Sequence, residues 1–129
     1  MIKIIDAHSH YMPPDVAAHT AFFKVAWSDV DRQLSIMDEC GISKALLLYP
    51  TSDAHLNMGG WQNVCSAYNL AIAGVIRAHK DRFIGAGILP SDNPLQFRSE
   101  LKRIQDLGLK VLSLASSYDG VYLDDERFH

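Results

Sequence analysis

Cysteine is scarce in this 129-residue chain, and a dense basic cluster and a long apolar run are missing altogether. The two cysteines, Cys40 and Cys65, are too few for a disulfide framework and have no metal-type spacing between them. Both fall on helical patterns and read as reduced, buried thiols, which fits a cytoplasmic protein. A net charge of −3 and a pI near 6.0 give no electrostatic footprint for nucleic acid or an anionic membrane. Arg77, Lys80 and Arg82 are the nearest approach to a basic group, and their spread around an expected helix end suits the helix dipole. No apolar stretch reaches bilayer length. The N-terminus enters a strand without a basic leader, so no signal peptide is expected.

What the chain does have is the composition of a globular domain: 48% hydrophobic and 21% charged residues, in a length suited to one unit spanning 1–129. The run Ile2-Lys3-Ile4-Ile5 reads as a strand and leads into Asp6-Ala7-His8-Ser9-His10. Strand alternation would point Asp6, His8 and His10 the same way. Two imidazoles about 7 Å apart at Cα, by strand rise, can converge on one divalent cation with Zn–N bonds of roughly 2.0–2.1 Å. A catalytic zinc ordinarily takes three protein ligands, so His8 and His10 are two-thirds of a set at most.

Further along, Tyr11 to Ser28 forms an irregular excursion carrying Phe22, Phe23 and Trp27, with room for a helical turn or two. Asp29 is an N-cap for a helix with its stripe at Val30, Leu34, Met37 and Cys40, stopped by Gly41. Residues 42–49 (ISKALLLY) read as a strand buried on both faces. Pro50 to Gly60 is a second excursion, holding His55. A helix is expected over about 61–80 and a strand over 83–89, where Gly85 and Gly87 would let backbone crowd a neighbour or a ligand. Asn93 and Pro94 open the next helix, Gly108 stops it, and 109–115 supply a fourth strand. The helix–glycine–strand unit at Leu34, Met37, Cys40, Gly41 and Ile42 recurs at Leu101, Ile104, Leu107, Gly108 and Leu109.

Alternation of four strands with three helices predicts an α/β fold with a parallel sheet and right-handed crossovers. Returns from helix to strand are short and excursions from strand to helix are long, which places the long loops beside His8 and His10. His55 lies on that side, either touching substrate or metal or standing as an exposed loop residue. Asp6 either orients an imidazole or caps the strand end. Tyr11 and Trp61 either line a pocket or cover core edges.

Asp6-Ala7-His8-Ser9-His10 with Met12-Pro13 resembles the opening of the amidohydrolase superfamily. The branch is amidohydrolase-2, which includes aminocarboxymuconate semialdehyde decarboxylase and the resorcylate decarboxylases. Asp38 to Ala45, Asp81 to Gly85, and Leu107 to Lys110 with Leu123-Asp124-Asp125 are similar to the same branch. The resemblance implies a TIM-like (β/α)8 barrel with a divalent metal, often zinc, and a small carboxylate or cyclic substrate. It implies ligands from strands one, five and eight and a proton-handling histidine from strand six. Only His8 and His10 have counterparts here, and no catalytic residue carries over. A full barrel needs about 250 residues, so the expectation is the N-terminal half of a hydrolase or decarboxylase, inactive alone. Residues 123–129 look like the opening of a further helix capped by Asp124. An uncovered half-barrel would oligomerise, and two copies closing one barrel would bring four histidines to one mouth. The alternatives are a non-catalytic half-barrel or oligomerising module, and a TatD-type metal-dependent deoxyribonuclease, whose first strand has the same Asp-x-His-x-His pattern.

Overall fold

A computed structural model describes residues 3–21 and 25–129, so Ile2, Phe22 and Phe23 lie outside the described residues. Four parallel strands in the order β1-β2-β3-β4 form one twisted sheet: β1 Ile4–His10, β2 Ile42–Leu48, β3 Phe83–Gly87 and β4 Val111–Leu112. The helices between them are α1 Pro14–Ala17, α2 Val30–Glu39, α3 Ala54–Asn57, α4 Trp61–Ala78 and α5 Phe97–Asp106. A short hairpin, β5 Ser117–Tyr118 with β6 Val121–Tyr122, follows the sheet. Sequential order in a parallel sheet means every crossover has the same sense, which is the start of a barrel. The chain is the parallel α/β sheet that its strand–helix alternation predicts, and its strand order is that of the part-barrel the resemblance implies.

Local chemistry sets the elements. The Asp29 carboxylate accepts from the Arg32 amide at 2.9 Å and starts α2, a cap worth about 1 kcal/mol. Gly41 ends the helix at φ 69°, a conformation that costs a side chain strain. Arg82 then ties this unit to the next: its guanidinium meets Asp38 at 2.7 Å and donates to the carbonyls of Ile42 and Ser43. Arg82 therefore joins α2, β2 and β3 rather than serving only a helix end.

The core lies between the sheet and its helices. Ala45, Leu47 and Phe83 are buried on that side with Val64, Tyr68, Ile72 and Ile104. A Cβ on Gly85 would meet the Ile76 side chain at 2.7 Å and Ile72 at 2.9 Å, and one on Gly87 would meet Ile104 at 3.0 Å. The strand glycines thus crowd helices, not a ligand. Residues one step along the strands face the other way, where Ile5 is 58% and Ile84 38% exposed.

Several expectations need correction. Cys65 is buried but Cys40 is exposed, as the C-cap residue that follows the last turn of α2 rather than a member of its buried stripe. The fourth strand is two residues long, not seven: a strand needs a neighbour to be a strand, and β4 has one only on its β3 side. Asn93 caps nothing through its side chain, since residues Pro94–Gln96 form a 3₁₀ turn before α5 begins. At the end of the chain Asp125, not Asp124, caps a 3₁₀ turn over Glu126–Phe128.

Candidate metal-binding site

β1 delivers its histidines through a distortion that the alternation rule does not contain. Asp6 pairs with Ala45 but Ser9 with Leu47, so β1 holds one extra residue at Ala7–His8. This β-bulge re-aims the strand, as bulges at sheet edges commonly do. Asp6 and Ser9 then share the helix-facing side of Ala45 and Leu47, while His10 aligns with Leu48 on the opposite face. The register thus sets Asp6 and His10 at different parities, yet Asp6, His8, Ser9 and His10 all border one groove. The Asp6 carboxylate turns back on its own strand, accepting from the His8 amide at 2.9 Å and from the Ser9 hydroxyl. Those two donors, with the charge of His8 third, hold the carboxyl below its ordinary range against a small burial penalty. Its position is that of a cap on the bulge.

The bulge nevertheless brings the two imidazoles together. The His8 and His10 rings lie 5.0 Å apart between centroids and nearly perpendicular, at 87°. His8 is exposed and His10 half-buried against Trp27, 5.3 Å away between rings. Burial, then the neighbouring His8, pull the His10 pKa below the ordinary histidine value, with the Leu48 backbone opposing. That direction keeps the ring neutral, the form a metal requires. His10 Nδ1 is buried without a hydrogen-bond partner. Such an orphaned acceptor is uncommon in a folded protein and fits a nitrogen whose partner is an ion. The pair opens on a groove of about 320 Å³ that also touches Trp27, Arg32 and Ile36. Among the described residues no third histidine, cysteine or carboxylate joins the pair.

His55 sits elsewhere. It belongs to α3 rather than to a loop, is half-buried rather than exposed, and stacks on Trp61 at 4.5 Å and 11°. Trp61 continues into a ring cluster with Tyr49 and Tyr118. Tyr11 and Trp61 are both buried, Tyr11 against Tyr68, and the covering of a core edge describes Tyr11 well. Trp61 does both jobs, since it also borders a small crevice with Thr51 and Tyr118 at the strand ends.

Two polar residues here escaped the sequence reading. Asn69, in the buried stripe of α4, donates to the Ile88 carbonyl at 3.0 Å and accepts from its amide at 2.9 Å, continuing β3 where the ladder stops. It also donates to Glu100 of α5 at 2.8 Å, and Gln62 donates to the other oxygen of that carboxylate. The available signal was a lone Asn between Tyr68 and Ile72 on an otherwise apolar face.

No family model matches the sequence, and no curated protein matches it. Solved structures do. The chain superposes on 5-carboxyvanillate decarboxylase from Sphingomonas paucimobilis with a TM-score of 0.81 at 22% identity, covering 100% of this chain and 47% of that one. It matches 2,6-dihydroxybenzoate decarboxylase from Rhizobium at 0.75 and 22%, covering 99% and 45%. A dihydroxybenzoic acid decarboxylase from Polaromonas sp. JS666, solved with manganese and the inhibitor 2-nitroresorcinol, matches at 0.71 and 21%, covering 99% and 44%. This chain spans less than half the length of each. Its fold is that of about half of the barrel in these solved structures.

Proposed function

We propose that the chain is the N-terminal, metal-holding half of an amidohydrolase-type hydrolase or non-oxidative decarboxylase, with His8 and His10 as two ligands of a divalent cation. The observation that carries this reading is the paired imidazoles at the C-terminal end of β1, edge to face, with His10 Nδ1 buried and unpartnered. A cation such as manganese or zinc, when bound, supplies Lewis acidity toward a carbonyl or carboxylate oxygen of a small carboxylate or cyclic substrate. The protein's own part is to keep both rings neutral and aimed. The bulge does the aiming, Asp6 and Ser9 brace it, and Trp27 shields one side of His10.

The solved neighbours include decarboxylases, several of them with manganese, which supports the class without deciding between hydrolysis and decarboxylation. Two nitrogen donors hold a cation weakly, so this chain by itself turns over no more than traces of aromatic or cyclic carboxylate. The test is calorimetric titration with manganese(II) or zinc(II), repeated on His8→Ala and His10→Ala. Binding by the parent chain and at least a tenfold loss in each variant is expected. Equal binding by all three removes the reading.

A further inference from the structure

Ser91 carries a buried hydroxyl with nothing to bond. The residue is 9% exposed, and among the described residues no group meets its Oγ. A buried polar atom without a partner is uncommon in a folded chain. Ser91 stands in the wall of a pocket of about 230 Å³ beyond the end of β3. Leu89 and Leu114 line it too, and Phe97, Tyr118 and Phe128 give it three aromatic sides. The Phe97 and Phe128 rings stack at 6.0 Å and 19°, with Tyr118 6.2 Å from Phe128. Among the described residues no charged side chain lines this pocket. The Tyr118 hydroxyl is already engaged, accepting from the Ala115 amide at 3.0 Å.

The pocket shares no residue with the groove at His8 and His10. Phe97 opens α5, and a Cβ on Gly87, two residues before Leu89, would meet Ile104 of the same helix. The pocket therefore lies on the helix side of the sheet, whereas His10 takes the other face.

We infer that this pocket binds a neutral, single-ring molecule carrying one hydroxyl, a phenol in its simplest form, with Ser91 as its hydrogen-bond partner. A cavity of about 150 Å³ walled by Leu, Ile and Phe already holds benzene. The larger space here suits one substituted ring and not two. An ionised ligand would lose its hydration with no opposite charge to replace it. Aromatic walls favour a flat ring, through offset and edge-to-face contacts. A serine side chain has three staggered positions about Cα–Cβ. A turn about that bond carries the hydroxyl from the wall toward the ligand's oxygen, where it donates or accepts. This binding needs no metal and does not rest on the histidine reading.

The test is a phenol titration of the metal-free 129-residue chain followed by methyl NMR. Saturable shifts at Leu89 and Leu114 are expected at about millimolar phenol. Ser91→Ala should weaken phenol about fivefold, the scale of one neutral hydrogen bond, and leave benzene binding unchanged. Leu114→Trp, at a half-exposed position, fills the pocket with its indole and should abolish binding of both, which keeps the pocket testable should Ser91→Ala unfold. Unchanged phenol affinity in Ser91→Ala, or an equal loss for benzene and phenol, overturns the role of Ser91. Absence of saturation, shifts centred on His8 and His10, or undiminished binding in Leu114→Trp overturns the pocket itself.

Discussion

Gly85 occupies a position where a methyl group has nowhere to go. Its missing Cβ would lie 2.7 Å from Ile76 and 2.9 Å from Ile72, both on α4. Gly85→Ala must push the helix off the sheet or force both isoleucines from their rotamers, at a cost of about 1–3 kcal/mol. Chemical denaturation is expected to show that loss. Ile76→Val added to Gly85→Ala should return part of it, which a purely conformational effect of glycine would not allow. The two cysteines differ as sharply. Cys40 is exposed, whereas Cys65 is buried in α4, where desolvation first, and then the charges of Glu100 and Asp92, push its thiol far up. A raised pKa leaves little thiolate at neutral pH. A thiol reagent should therefore label one cysteine per native chain at pH 8, identified as Cys40 by peptide mass, and two after denaturation.

At the scale of elements, Asn69 joins three of them. One amide satisfies both backbone groups of Ile88 past the end of β3 and holds the Glu100 carboxylate of α5. Asn69→Leu would strand these groups in a dry interior, a loss of about 2–4 kcal/mol. A double cycle with Glu100→Gln, followed by urea denaturation, should show strong coupling; additive losses would mean that the two side chains act separately. Contacts of this kind explain what the sequence could and could not disclose. The α2–Gly41–β2 unit was legible because an N-cap, a helical stripe and a positive-φ glycine are each local signals. The length of β4 was not, because 109–115 is apolar throughout and only the number of neighbours decides how much of it pairs. The histidine pair was legible as a motif, while its orientation was not. A bulge shifts parity by one residue and leaves no trace in hydrophobic periodicity, so the register of Asp6 against His10 could not be read. Residues such as Asn69 stay hidden because a buried amide has no periodic signature of its own.

For the whole molecule, the sheet is protected unevenly. β2 and β3 each have a strand on both sides and α4 packed beneath, whereas β1 and β4 have one neighbour apiece. In an isolated half-barrel, opening an edge exposes one ladder and little core, whereas opening β2 or β3 exposes the buried side chains of Leu47, Phe83 and Ile72. Amide exchange should therefore divide into two groups. Amides of Leu46, Leu47 and Gly85 exchange only through global unfolding, and those of Leu112, Ser113 and the β5–β6 hairpin exchange through cheap local opening. Edge amides as slow as the central ones would mean that the free side of β4 is closed by the chain itself, and the division into two groups would fail.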